Sequence, residues 1–231
     1  MYPLTAYPTT TNYRIVFLPG ASGDPSFWHG VGECLPSNWE KRFLAWPGLG
    51  NQAPAPGIDG FADLIDLASS ALTAPSIIMA QSMGGIIAVQ LALRHPELVT
   101  HLILVATSGG LDVTALGAMD WRQDFLRSYP NTACWILEDN IDLTARLHEI
   151  NTPTLLLWGD ADPISPPAVG QSLNAFIRSS QLTIIPDADH GMGTKMPGIV
   201  ASHVRDFITP PAYCLVQTTQ HIQETIPPQD P

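Results

Sequence analysis

SIIMAQSMGG, residues 76–85, sets an apolar run against a serine enclosed by small residues, and the helical stretch 86–95 follows at once. Strand, tight turn and helix in that order put a serine hydroxyl at the carboxyl end of a strand, and the small neighbours let the backbone turn sharply without steric clash. The turn therefore marks Ser82 as a candidate nucleophile.

The rest of the chain repeats the alternation. Short apolar runs at 14–18, 42–45, 76–79, 102–105, 154–157 and 182–185 alternate with segments of helical period at 60–73, 83–94, 166–178 and 198–208. Strands that are apolar nearly throughout are buried on both faces, as in a parallel sheet covered by helices. The pattern predicts an α/β fold: a mostly parallel sheet of about six strands with helices on both faces, in a single domain over 1–231. In the first helix, Phe61, Leu64, Ile65, Leu67, Ala68 and Leu72 share a face, and the second is apolar almost all round, as a central helix would be.

Residues 107–150, after the strand that ends near Ala106, break the rhythm. The segment is about twice the usual crossover length and carries Met119, Trp121, Phe125, Tyr129 and Trp135, with Pro130 dividing it. It is expected to be a short helical lid inserted at the carboxyl edge of the sheet. From 209 to 231 the chain turns rich in Pro, Gln and Thr and reads as a C-terminal tail.

Composition narrows the function classes. With 231 residues, 45% hydrophobic and 13% charged, the chain can bury a substantial core. A net charge of -11 with ten scattered Lys and Arg argues against nucleic acid and against an anionic membrane surface as partners. Cys34, Cys134 and Cys214 have no metal or redox spacing, and no run approaches the roughly 18 apolar residues of a membrane span. The opening MYPLTAYPTTTN has neither the basic start nor the apolar centre of a signal peptide. A cytoplasmic protein acting on a small molecule is expected.

A serine hydroxyl needs a base. Of seven histidines, His190 follows the last strand in the loop PDADHGMG, at the edge that holds Ser82. The base in turn needs a carboxylate to hold its tautomer, and WGDADPISPP, after the fifth strand, offers Asp160 and Asp162.

These loops, with LPG at 18–20, PGLG at 47–50, RHPELV at 94–99, GDADP at 159–163 and ADHG at 188–191, resemble the α/β-hydrolase superfamily over roughly 13–208. The resemblance implies a nucleophile elbow at Ser82 and a catalytic triad of Ser82, Asp162 and His190. It leaves Asp160 as a turn residue and Asp112 as a minor rival for the acid. An oxyanion hole would use the backbone N–H of Met83, at the amino end of a helix, and, by the resemblance, that of Ala21. Two departures stand out: Ala80 opens the elbow where the family often has Gly, and Pro19 replaces the usual His of the oxyanion loop.

Phe27, Trp28, Trp121, Phe125 and Met192 are the candidate substrate pocket, with Trp121 and Phe125 weighed against a role in the lid's own core. The resemblance implies a serine hydrolase of the esterase type, cleaving a small carboxylic ester, lactone or thioester with no metal or organic cofactor. Serine at the elbow argues against the dehalogenase and epoxide hydrolase branches. The alternatives are a carbon–carbon bond hydrolase or lyase that uses Arg122 or Arg127 on an anionic substrate, and a small-molecule receptor that retains the triad.

Overall fold

The computed structural model describes residues 12–137 and 141–209. Six strands, β1 (Arg14–Leu18), β2 (Glu40–Phe43), β3 (Ser76–Gln81), β4 (Val99–Val105), β5 (Thr154–Gly159) and β6 (Ser180–Ile185), form one sheet in the order β2-β1-β3-β4-β5-β6. Every neighbouring pair is parallel. Among the described residues seven α-helices accompany them: α1 (His29–Cys34), α2 (Phe61–Ala71), α3 (Met83–Arg94), α4 (Arg122–Ser128), α5 (Pro167–Phe176), α6 (Met192–Lys195) and α7 (Pro197–Ile208).

Alternate strand residues feed two separate cores, because successive side chains leave a strand on opposite faces. Val16, Leu18, Ile78, Ala80, Leu102, Leu104, Leu156 and Trp158 pack with α2, α3 and α5. Ile15, Phe17, Ile77, Met79, Ile103, Val105, Leu155 and Leu157 pack with α1, α6 and α7. All six residues of β3 and all six of β5 are buried. A large apolar side chain so placed contributes about 1.5–3 kcal/mol, so these strands are rigid platforms for whatever their carboxyl ends carry.

The second strand is found at Glu40–Phe43, not at 42–45. It is the edge strand, its residues alternate between exposed and half-buried, and its register is Arg14↔Glu40 to Phe17↔Phe43. The apolar Leu44 that drew the expectation is buried in the loop beyond it, as is Trp46.

The connection 107–150 holds one α-helix, α4, and short 3-10 turns at Thr114–Leu116, Cys134–Leu137 and Thr144–Glu149, less helical than its length suggested. Packing holds it: Leu111, Ile136, Leu143 and Leu147 join the core on the α2, α3 and α5 face. Hydrogen bonds tie it down at two places. Met119 N–H donates to Pro163 O at 2.9 Å, beyond β5, while Ala133 N–H donates to Gly48 O at 2.9 Å and Thr132 Oγ1 accepts from Gly50 N–H at 3.1 Å, beyond β2. Because β1, β3 and β4 lie between β5 and β2 in the sheet, a segment tied at those two loops runs across their carboxyl ends. Of the tail expected over 209–231, all but Thr209 lies outside the described residues, as does Cys214.

Candidate active site

Ser82 joins β3 directly to α3 with φ 52 and ψ -126, a backbone conformation that a residue with a side chain rarely adopts. Such a position costs about 1–3 kcal/mol and survives where its flanks are over-determined. Here the flanks are a wholly buried strand and a helix with most of its residues buried, so two or three packed side chains offset the strain. Ser82 N–H donates to Val105 O at 3.1 Å, and Ser82 O accepts from Gly85 N–H at 2.9 Å and from Thr107 Oγ1 at 2.5 Å. The glycines after it are required by close approach: a Cβ on Gly84 would lie 2.3 Å from Pro19 O, and one on Gly85 would lie 2.3 Å from Thr107 Oγ1. Ala80, where a Gly often stands, is fully buried in the core beside Leu18 and Leu104 and needs no special backbone.

Two further loops meet at the same edge. Asp160 N–H donates to Ile185 O, Asp187 N–H to Asp160 Oδ1 at 2.7 Å, and Ala161 N–H to Ala188 O at 3.0 Å. This lacing depends on Gly159, since a Cβ there would lie 1.9 Å from Ala188 O. Asp162 and His190 are thereby brought together, with His190 Nδ1 2.8 Å from Asp162 Oδ2. The other carboxylate oxygen accepts from Ile164 N–H at 2.9 Å and Ser165 N–H at 3.0 Å, and the Asp162 side chain has no exposed surface. The Asp162 carboxylate is thus held by two backbone N–H groups on one oxygen and faces His190 Nδ1 with the other; a proton on Nδ1 would leave Nε2 free to accept another. Asp160 serves the turn, as its position suggested. Asp112 is exposed and turned into its own loop, where Thr114 Oγ1 and Thr114 N–H donate to it and hold its carboxyl below the ordinary range.

The base loop is linked to the serine turn by Gln81, whose Nε2 donates to His190 O at 3.3 Å. On the other side of Ser82 lies the loop after β1. A Cβ on Gly20 would come 3.2 Å from Ser82 Cβ, so this loop runs against the serine. Gly20 opens a turn closed by Gly23 N–H to Gly20 O at 3.0 Å, a bond that does not use the N–H of Ala21. Two indoles anchor the approach: Trp28 Nε1 donates to Leu18 O at 2.9 Å and Trp46 Nε1 to Pro19 O at 2.8 Å. The role that Trp46 gives Pro19 is that of an acceptor, for which proline serves as well as any residue. Met83 is the first residue of α3, so its N–H has no acceptor within the helix.

The expected pocket residues divide. Trp28 and Met192 have no exposed surface and belong to the core on the α1, α6 and α7 face. The phase of their short helices turns them inward, so they support the site's loops and offer no wall to a substrate. Phe27 is half-buried, edge-on to Trp28 and packed against Gly193. Trp121 and Phe125 meet edge to face at 5.2 Å and pack against the opposite core. Arg122 pairs with Asp120 at 3.1 Å and donates to Leu137 O, and Arg127 pairs with Asp124. Both arginines are engaged within their own segment. Sequence reasoning passes over Gln81, although it stands beside Ser82, and Thr107, which no local pattern marks.

Among the described residues no three His, Cys, Asp or Glu side chains group as a metal site would require, and no helix is long and apolar enough to cross a membrane. An open hollow of about 530 Å³ lies at the opposite edge of the sheet, lined by Leu93, Pro96, Val99, Thr100 and Pro153. The elbow and the paired acid and base are elsewhere, so its size carries no chemistry.

Comparison with known proteins agrees with this architecture. A family model described as alpha/beta hydrolase fold matches residues 13–133. Among curated relatives, a pimeloyl-[acyl-carrier protein] methyl ester esterase of Neisseria meningitidis serogroup C is 28% identical over 218 residues, covering 75% of this chain and 85% of the relative. Among solved structures, a thermophilic esterase from Thermogutta terrifontis is 22% identical with a TM-score of 0.69, covering 88% of this chain and 95% of the other. A serine hydrolase involved in carbazole degradation is 20% identical with a TM-score of 0.70, covering 87% of this chain and 92% of the other.

Proposed function

The chain belongs to the alpha/beta hydrolase family and is a hydrolase, and from that premise we propose that it is a serine esterase that cleaves small carboxylic esters through an acyl-enzyme. The observation that carries the reading is the buried Asp162 carboxylate on His190 Nδ1, at the edge where a left-handed Ser82 ends β3. Ser82 Oγ attacks the ester carbonyl carbon while His190 takes the hydroxyl proton. The carbonyl electron pair moves to the oxygen, which the N–H groups of Met83 and Ala21 receive. The pair then returns, the carbon–oxygen bond to the leaving group breaks, and His190 hands its proton to the departing alcohol. Water repeats the cycle on the acyl-serine and frees the acid.

The named esterase relatives support ester over lactone or thioester, and the relative's printed substrate supports an aliphatic acyl group. The connection 107–150, tied across the carboxyl ends of the central strands, is read as the lid, with Trp121 and Phe125 on it and Phe27 on the facing loop as candidate walls. A panel of short and medium p-nitrophenyl esters on wild type and Ser82→Ala tests the reading. Hydrolysis that falls by about 10⁴-fold or more in the variant is expected. Hydrolysis retained by Ser82→Ala, or no ester turned over by wild type, overturns it.

A further inference from the structure

We propose that Thr107 is a positioning residue that aims the Met83 N–H at the developing oxyanion, a role that rests on the serine-esterase reading of Ser82. Val105 ends β4 alongside Gln81 of β3, and the next residue, Ala106, is again a non-glycine with positive φ, at 47. Two adjacent strands thus end in left-handed residues that carry side chains. The second turn sends Thr107 back toward the first, and the residue is 1% exposed.

Its hydroxyl is fully used. The one proton goes to Ser82 O at 2.5 Å, and the oxygen accepts Gly109 N–H at 3.0 Å, so the rotor has a single satisfied setting. Gly85 packs against the same side chain: a Cβ there would come 2.3 Å from Thr107 Oγ1 and 2.6 Å from both Cβ and Cγ2. Thr107 therefore meets the first turn of α3 at two points, Ser82 O and Gly85.

Ser82 C=O and Met83 N–H belong to one peptide unit. That unit is planar and trans, so its carbonyl and its N–H point in opposite directions and cannot be turned separately. A donor that holds Ser82 O fixes the direction in which Met83 N–H points. Gly85 N–H supplies one such hold from within the helix, and Thr107 supplies the other from the neighbouring strand. Loss of the second lets the plane tilt while leaving the serine, the base and the substrate walls in place.

The effect should then appear in the transition state and not in substrate binding. Removing an oxyanion donor costs about 10²–10³ in kcat, and misaiming one should cost less. Thr107→Val is expected to lower kcat by about 10–100-fold with KM within about threefold. A trifluoromethyl ketone, which forms an oxyanion on the serine, should lose inhibition by the same factor as kcat/KM. Thr107→Ser, which keeps the hydroxyl, should restore both to within about threefold. Should the Val variant fail to fold, Thr107→Ala is read against Thr107→Ser in its place.

The proposal is overturned by unchanged kcat in the hydroxyl-free variant, by a loss of kcat without the matching loss of inhibition, or by a Ser variant as impaired as the others. Ser82→Ala, assayed alongside, separates the two levels of inference. An inactive Ser82→Ala with a normal Thr107→Val removes this proposal alone, whereas an active Ser82→Ala removes the esterase reading on which it rests.

Discussion

His190, beyond the carboxyl end of β6, lies 2.8 Å from a carboxylate with no exposed surface, while His101, near the amino end of β4, meets only the Thr100 hydroxyl at 3.4 Å and the Phe207 ring. Both are half-buried imidazoles on one sheet. Their surroundings differ because the two edges are built differently. At the carboxyl edge the loops after β5 and β6 are laced by backbone hydrogen bonds, and Gln81 carries the lacing to the serine turn. At the amino edge lies the open hollow beside Thr100. A cavity thus marks the edge where groups are left apart, and chemistry is expected where they are held together.

The comparison can be broken most forcefully by making His190 resemble His101. Asp162→Asn removes the charge while keeping the shape, and kcat on a p-nitrophenyl ester is expected to fall by about 10⁴-fold, since the imidazole loses its tautomer and its counter-charge. Retention of more than a tenth of the activity would show that the carboxylate is not the partner His190 uses. A smaller blow falls on the lacing itself. In Gly159→Ala the added Cβ meets Ala188 O, and the acid and base loops must separate. About 10²-fold in kcat is expected for a displacement near 1 Å, with secondary structure by circular dichroism unchanged.

The smallest effect belongs to the other histidine. Burial lowers the pKa of His101 from its ordinary value of 6.5. The unfolded chain therefore binds the proton more readily than the folded one below that value. Stability from this group is present at neutral pH and declines as the pH falls through the ordinary pKa toward the lower, folded one. His101→Gln should reduce the drop in Tm between about pH 7.5 and pH 5.5 and leave ester turnover at neutral pH unchanged. A drop as large as that of wild type would show that other groups carry the acid sensitivity.

Much of this arrangement was legible in the chain. Ser82 was visible because β3 is apolar on both faces and α3 follows without a linker, and the observed helix Met83–Arg94 has the bounds its periodicity gave. The order of loops put Asp160, Asp162 and His190 at one edge, the family resemblance pointed to Asp162, and the structure brings Asp162 and His190 into contact. Less was legible where one face meets solvent: β2, an edge strand, has no continuous apolar run to betray it. Trp28 and Met192 stand near the site in sequence, but the rotation of a short helix decides which way a side chain turns, and both turn into the core. Thr107 could not be found from the sequence at all. Its role depends on the left-handed Ala106 and on the lateral pairing of β3 with β4, and neither leaves a local pattern in residue types.

Gly159 has a consequence for heredity. It ends a buried strand beside Ile185 and Ala188 at the rim of one core, so one nucleotide change there can part the acid from the base where the sheet meets its loops. A duplicated copy carrying that change would keep Ser82, Asp162 and His190 and yet work about 10²-fold more slowly. In this fold the distance between a working and a weakened copy is a single hydrogen replaced by a methyl group.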